Sequence, residues 1–255
     1  KEIRGLAKMG YQEVALAGIH LSSYGVDCEE NLLHLIQEIH KIDGIRRIRL
    51  GSLEPQIVTE EFARELSSLE KICPHFHLSL QSGCDATLKR MNRHYTTQEF
   101  AMKLKELKSK LPTLSITTDV ITGFPCETEE EFEKTYQWIK EMHFNQLHVF
   151  PYSKRQGTPA AQMKNQINGQ IKHERVKRLM ELSHSLQLEF ASWQIGKTLE
   201  VLIEERHGDY MVGHASNYLK VNVDLPDSSI GHIYKVKILS QNDVELIGCV
   251  MDEEN

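Results

Sequence analysis

Three polar residues stand where short apolar runs give way to segments bearing Gly, Ser or Pro. Glu54 lies in GSLEP (51–55), Gln81 in SLQSGCD (79–85), and Asp119 in SITTDVI (115–121). A carboxylate there can take a ligand amine or a ribose hydroxyl, and an amide can read a hydroxyl or a carboxylate. A salt bridge to a flanking helix or a hydrogen bond within a turn would occupy the same side chains without any ligand. Lys89, Arg90 and Arg93 in LKRMNRH (88–94) and Arg155 in YSKR (152–155) are cations at loops or helix starts, where phosphate could dock. A further basic run, KHERVKR (172–178), reads as a solvated helix face. His75 and His77 form an H-x-H pair, a spacing that can bind a metal from a strand end in hydrolases. Pro74 places that pair at the start of its strand, on the face that in parallel barrels serves stability rather than chemistry.

The cysteines are Cys28, Cys73, Cys84, Cys126 and Cys249. Their odd count and irregular spacing make a poor disulfide framework. No C-x-x-C or C-x-x-x-C pair encodes a self-contained zinc or iron–sulfur site, so no metal ligand set is assigned. Free thiols fit a cytoplasmic protein.

These residues need a scaffold, and the hydrophobic pattern supplies one. Apolar runs at 14–18, 47–51, 76–80, 115–121 and 146–150 alternate with amphipathic helical stretches at 1–10, 31–42 and 60–69, then one with Phe100, Leu104, Leu107 and Leu111 on a face, and one carrying Phe132, Tyr136 and Ile139. Thr59 can cap the third helix. Thr96 with Glu99, and Thr128 with Glu131, have the spacing of a capping box. Alternating strands and helices predict a parallel α/β arrangement. Five strands are too few for a closed eight-stranded barrel, and the chain opens on a helix that should follow a strand. The expectation is a partial (βα) TIM-like barrel lacking its first strand. In such folds ligands meet the carboxyl ends of the strands, and all five loops there are rich in Gly, Ser, Pro and polar residues.

From 170 a long helix runs to about 195, with Ile171, Leu179, Leu186, Phe190 and Trp193 near one face and Gly196 at its end. Beyond it, TLEVLIE, YMVGH, YLKVNVD, IYKVKILS and VELIGCV are short strands at roughly ten-residue spacing, the pattern of a small antiparallel, OB-like β-barrel. Two domains follow, 1–189 and 190–255. The 255 residues carry 40% hydrophobic and 26% charged side chains, an ordinary globular composition. No apolar run is long enough to span a membrane. The net charge of −6 gives no argument for a polynucleotide partner. The segment 190–255 is acidic, with 5 basic and 11 acidic residues.

At the loop segments the sequence resembles a known family. GIHLSSYG, RIRLGSLEP, HFHLSLQSGCDATLKRMNRHYT, TTDVITGFPCETEEEFEKT and HVFPYSKRQGTPAA together resemble the radical S-adenosylmethionine methylthiotransferases. Within that family they are most similar to the bacterial branch acting on tRNA threonylcarbamoyladenosine. The C-terminal strands resemble a TRAM domain, an RNA-binding barrel. The resemblance implies a transferase that adds a methylthio group to carbon 2 of N6-threonylcarbamoyladenosine beside the anticodon. It implies S-adenosylmethionine as cofactor, with 4Fe-4S clusters carried only by the full-length protein. One of those sits on a CxxxCxxC loop upstream of Lys1, and the other in an N-terminal sulfur-donor domain that is missing here. It implies tRNA as partner, and the expected state is a monomer. By the resemblance Gly18, Ile19 and His20 would line the methionine end of the cofactor. Glu54, Gln81 and Arg93 would meet its polar groups. Asp119 to Gly123, Val149 and Phe150 would face its ribose and adenine. Tyr152, Arg155, Lys89 and Arg90 would lie toward the substrate. In the TRAM-like segment, RNA contact would rest on a basic face of Lys220, Lys235 and Lys237.

Three features depart from the family pattern. The cluster loop and donor domain are absent, so this portion alone is expected to be inactive. Cys126 replaces a usual glycine, a strained choice if the position needs φ > 0. Ala17 replaces a frequent threonine. Two other functions remain open on the sequence: a tRNA-binding module without catalysis, and a metal-dependent hydrolase using His75 and His77.

Overall fold

The structure is a computed structural model that describes residues 1–18, 20–28 and 30–251. Its first part alternates helices and strands in the order α1 (Glu2–Lys8), β1 (Glu13–Leu16), α2 (Leu32–His40), β2 (Arg47–Leu50), β3 (Ser52–Leu53), α3 (Glu60–Ser67), β4 (His75–Leu78), α4 (Asp85–Arg90), α5 (Thr97–Lys110), β5 (Ser115–Thr122), α6 (Glu129–Met142) and β6 (Gln146–Pro151). The short α7 (Pro159–Gln162) and the long α8 (Gly169–Ser192) follow. All pairings among β1–β6 are parallel. The second predicted strand, 47–51, is β2, and beyond Gly51 the chain adds a short strand, β3, outside that range. One sheet therefore becomes a two-stranded piece, β1-β2, and a four-stranded piece, β3-β4-β5-β6. A bridge between Ile48 and Ile72 holds the pieces together.

The capping residues close their helices as the spacing predicts. Thr59 accepts from the Phe62 amide, and both capping boxes are formed. Side chains alternate across each strand, and the two faces differ in kind. Ile48, Leu50, Phe76, Leu78, Ile116, Val120 and Leu147 pack against Ile36 of α2, Leu66 of α3, Phe100 of α5, Phe132 of α6 and Leu179 of α8 in one apolar cluster. The other face carries Arg47, Arg49, His75, His77, Thr117, Asp119 and His148. The inside of the partial barrel is thus polar.

The C-terminal part is a closed barrel in the order β10-β11-β9-β8-β7. Its strands are β7 (Thr198–His207), β8 (Tyr210–Ala215), β9 (Lys220–Val223), β10 (Ile233–Asn242) and β11 (Glu245–Val250). The expectation of an antiparallel barrel needs one correction: β11 and β9 pair in parallel, which is how the five strands close. Its own core includes Val201, Ile203, Met211, Val221, Val236 and Leu246. Helix α8 is continuous across residue 189. Its Leu179, Leu182 and Leu186 belong to the first core and Ala191 to the second. Ile171 and Trp193, expected on its apolar face, are exposed.

The small barrel docks under the amino ends of the parallel strands. Arg47 and Arg49 are both buried and share the single carboxylate of Glu13, at 2.6 and 3.1 Å. Two guanidiniums on one acid leave donors over, and backbone carbonyls of the C-terminal barrel accept them. Arg47 donates to Glu200 and His214, and Arg49 to Ala215 and Ser216, at 3.2–3.3 Å. Buried charge is tolerable only with partners of this kind.

Candidate functional site

The carboxyl ends of the strands open into two adjoining cavities. The larger, about 550 Å³, is walled by Met91, Ile121, Phe124, Phe150 and Pro151, with Gln81, Arg93, Asp119, Tyr152 and Arg155 as its polar groups. The smaller, about 270 Å³, is lined by His20, Ser22, Glu54, Gln81, Arg93 and Tyr95 among others. Gln81 and Arg93 belong to both.

Local structure explains how these residues are held. Gln81 adopts φ +71°, a left-handed backbone three residues beyond the end of β4, where it bridges Val120 of β5. It is fixed there because its amide donates to the Asp119 carbonyl and its carbonyl accepts from Ile121. The kink keeps its side chain at the cavity rather than in the sheet. Arg93 follows Asn92, itself at φ +58°. The turn is pinned by the Tyr95 hydroxyl, which donates to the carbonyls of Ser79 and Leu80. Burial pushes that phenol up to about 12, so it stays a donor. Asp119 sits deeper, on the polar face of β5, and His77 Nε2 lies 3.2 Å from its Oδ2. Burial alone would raise this carboxyl. The hydrogen bond from His77, with smaller contributions from His148 and Arg93, holds it below the ordinary range.

The wall beyond Asp119 is anchored from α8. Gly123 turns at φ +67°, and a Cβ there would lie 2.4 Å from Lys172 Cγ. Lys172 crosses that space to donate to the Tyr152 carbonyl, with its ammonium over the Tyr152 ring. The Gly123 amide donates to the buried Glu127 carboxylate, which Arg175 also holds. Arg175 is 4% exposed. The 172–178 run is therefore not a solvated face. Its arginines Arg175 and Arg178 clamp Glu127, Glu129 and Glu133, and sequence reasoning missed them because their partners lie some 45 residues away.

The sequence-predicted site residues divide into those that meet and those that do not. His20, Glu54, Gln81, Arg93, Asp119, Phe150, Tyr152 and Arg155 line the two cavities. Val149 packs against the core on the helix side of the sheet. Gly18 and Gly123 line neither cavity, and Ile19 lies outside the described residues. Arg90 is engaged by Glu131 and Thr87, away from the cavities, and Lys89 is exposed beside it on α4. Of the three lysines of the small barrel, Lys235 and Lys237 stand two apart on β10 and share its face, while Lys220 lies apart on β9. Lys220 pairs with Glu245 at the start of β11. Lys237 is in register with Cys249 near its end, and Lys235 stands opposite Glu200 on β7. His75 and His77 have no third ligand: among the described residues no group of three or more His, Cys, Asp or Glu could hold a metal ion.

Cys126 occupies a left-handed backbone at φ +67°, so the position does require what glycine gives. An L-residue there costs about 1–2 kcal/mol. Only a weak thiol contact to the Lys164 carbonyl, at 3.3 Å, sets against it. Cys126→Gly is expected to raise unfolding free energy by about 1 kcal/mol after the added chain entropy of glycine, a gain of about 2–4 °C in Tm. Thermal unfolding followed by circular dichroism measures it; an unchanged or lowered Tm would show that the turn tolerates cysteine.

Comparison with known proteins agrees with this geometry. A family model described as the Radical SAM superfamily matches residues 1–139. Over 99% of its length the chain is 44% identical to the threonylcarbamoyladenosine tRNA methylthiotransferase MtaB of Bacillus subtilis, covering 58% of that protein. Over 98% it is 38% identical to the tRNA-2-methylthio-N(6)-dimethylallyladenosine synthase of Caldicellulosiruptor saccharolyticus, covering 54% of it. The chain thus spans a little over half the length of these curated relatives. Among solved structures, the radical SAM enzyme coproporphyrinogen III oxidase (HemN) of Escherichia coli superposes with a TM-score of 0.56 at 15% identity, over 92% of this chain and 57% of that one. That likeness concerns the fold. With the matched model covering residues 1–139, more than half of its length, the chain belongs to the Radical SAM superfamily.

Proposed function

We propose that this chain is the part of a tRNA methylthiotransferase that holds S-adenosylmethionine and receives an N6-modified adenosine of tRNA. The paired cavities that share Gln81 and Arg93 carry this reading. Their donor set suits the cofactor by chemical type. A cation and an amide in the smaller chamber match an α-amino carboxylate. Asp119 matches ribose hydroxyls, and the ring of Phe150 suits an adenine. The Tyr152 hydroxyl is a buried polar atom with no protein partner. Bound there, S-adenosylmethionine supplies the radical and methyl chemistry of the reaction. An iron–sulfur cluster does not fit the residues of this chain. The cysteines are dispersed and no ligand group exists among the described residues, so no step is assigned to one here.

The finer proposal concerns the substituent on the adenosine. A threonylcarbamoyl group carries a carboxylate at neutral pH, and a dimethylallyl group carries no charge. Arg155 lines the outer wall of the larger cavity and has no carboxylate partner among the described residues. A cation left free at that wall suits the threonylcarbamoyl substituent, and carbon 2 of its adenine is then the proposed site of methylthiolation. tRNA is the proposed macromolecular substrate and the cytoplasm the proposed compartment. Among the described residues no helix is long and apolar enough to cross a membrane.

The test is amide chemical-shift mapping. S-adenosylmethionine is expected to perturb Gln81, Asp119, Ile121 and Phe150 and to leave the C-terminal barrel unmoved. With the cofactor present, Arg155→Met is expected to weaken N6-threonylcarbamoyladenosine about tenfold, the worth of one charged hydrogen bond. Binding of N6-dimethylallyladenosine should be unchanged. Equal loss of both nucleosides removes the specificity assignment. Perturbations confined to other surfaces remove the site itself.

A further inference from the structure

Inside the partial barrel, below the cavities, four polar side chains stand in a row. His77 Nε2 lies 3.2 Å from Asp119 Oδ2, His77 Nδ1 3.0 Å from Thr117 Oγ1, and Thr117 Oγ1 3.4 Å from His75 Nε2. We propose that His77 is the positioning residue for Asp119, acting as one link of a one-way hydrogen-bond chain, Asp119–His77–Thr117–His75, that runs from the cavity floor to the C-terminal barrel.

The direction of the chain follows from what each group can do. A carboxylate only accepts, so His77 Nε2 carries the hydrogen. In a neutral imidazole the other nitrogen is then a bare acceptor, and the Thr117 hydroxyl must donate to it. That hydroxyl keeps its lone pairs for the hydrogen on His75 Nε2. His75 Nδ1 is left bare, and it is the atom of the row that is buried without any partner. The opposite polarity would require a charged His77 and would leave His75 with an N–H that has nothing to bond. Orphaned buried N–H groups are rarer than under-used acceptors. The surrounding charges agree. His77 faces Asp119 on β5, His148 on β6 and His75 on its own strand. Asp119 also faces His148 and, from the turn after α4, Arg93. Burial holds both His75 and His148 toward the neutral form.

The lower end of the chain is closed by the second domain. Tyr218 of the small barrel lies flat on His75, with ring centroids 4.6 Å apart and 20° between planes. Its ring is also stacked with His214 and faced by Arg49. Tyr218 holds this place at φ +71°, a backbone that L-residues rarely adopt. With the tautomers fixed, one oxygen of Asp119 is committed to His77 and the other is free for a ligand hydroxyl. That last use rests on the proposed nucleoside site; the direction of the chain does not.

Imidazole nitrogen shifts and the Asp119 carboxyl carbon, followed by NMR across pH, test the proposal on this chain. At pH 7.5 both His75 and His77 should be Nε2–H tautomers with bare Nδ1. His77→Leu should raise the Asp119 midpoint by about one pH unit, because a hydrogen bond to the charged form is lost. His77→Gln, which keeps a side-chain donor, should restore most of it. Thr117→Val, nearly isosteric, should leave His77 an Nε2–H tautomer bonded to Asp119, but, by removing the acceptor of His75 Nε2, should free the His75 ring to exchange tautomers. A protonated or Nδ1–H His77 in the unmodified protein overturns the proposal, as does an Asp119 midpoint indifferent to His77→Leu. If the tautomers hold but S-adenosylmethionine leaves Asp119 unperturbed, the chain stands and the nucleoside site falls.

Discussion

Arg175→Met is expected to lower the unfolding free energy by about 3–5 kcal/mol, the penalty for orphaning a buried charge. On a chain of this size that is on the order of 10 °C in Tm. Arg175 donates to Glu127 Oε2 at 2.7 Å and to the Glu127 carbonyl at 3.2 Å, and reaches Glu129 with its remaining nitrogens. Glu127 is 3% exposed. Burial pushes its carboxyl up, against the Gly123 amide and Arg175, which favour the charged form. Without Arg175 the burial effect acts with less opposition, and Glu127 takes a proton at still higher pH. An acid whose folded value is raised binds protons more tightly when folded. Stability therefore falls as pH rises from the unfolded value toward the folded one. The defect of Arg175→Met should accordingly be largest near pH 8 and shrink toward pH 5. Arg175→Met combined with Glu127→Gln should recover much of the loss, since the amide can still accept from Gly123 and carries no charge. A defect independent of pH, or no recovery in the double variant, would mean that Arg175 acts through packing alone. The consequence reaches the cavity: Glu127 holds the Gly123 turn, and Lys172 on the same helix holds Tyr152 in the wall.

The parts of this architecture that the residues declare in advance are those whose causes are local. A threonine three positions before a glutamate, ahead of an amphipathic run, is a local signal for a capped helix, and both such pairs form their boxes here. The segments with Gly, Ser and Pro after each apolar run end the strands, and parallel pairing then sends those ends to one side. Gln81, Asp119 and Phe150 meet for that reason, although they are spread over some 70 residues. What stayed hidden depends on distant partners. RIRL and HFHL read equally well as strands, but nothing nearby tells that Arg47 and Arg49 are buried. Their acceptors are carbonyls about 150–170 residues further along. Arg175 and Arg178 look like a solvated face because their acids sit on α6 and in the turn just before it, far back in the chain. The three lysines of the small barrel look like a single patch until the register of β9, β10 and β11 sets Lys220 apart from Lys235 and Lys237. Val149 was misplaced by a single residue, which in a strand means the opposite face.

Acid should weaken this protein earlier than its carboxylates require, and His75 is the cause. Burial, with the charges of Arg49 and the neighbouring histidines, lowers its pKa to about 3 from an ordinary 6.5. It is 6% exposed, so solvent screening gives little relief. In the unfolded chain His75 takes a proton as pH falls through 6.5; in the folded protein it cannot. The unfolded state therefore binds more protons throughout that interval, and stability declines as pH falls. At 1.36 kcal/mol per pH unit the loss is about 2 kcal/mol by pH 5 and on the order of 4 kcal/mol by pH 3.5. Asp119 and Glu131, whose values are lowered by their partners, add losses of the same sign but only below about pH 4, where their unfolded forms protonate. Between pH 6.5 and 4.5 the decline comes from His75, with a smaller share from His148, which burial also lowers, and is opposed by Glu127, whose raised value favours the folded state as pH falls. Urea unfolding across that interval should show it. His75→Leu should flatten most of the slope even if it lowers stability at pH 7.5, because the readout is the difference between two pH values. Tyr218→Ala should act differently. Removing the ring that covers His75 admits water, lets the imidazole charge in the folded state, and shallows the slope while the histidine remains. A steep limb that survives His75→Leu would place the acid sensitivity elsewhere and show that His75 charges freely in its buried site.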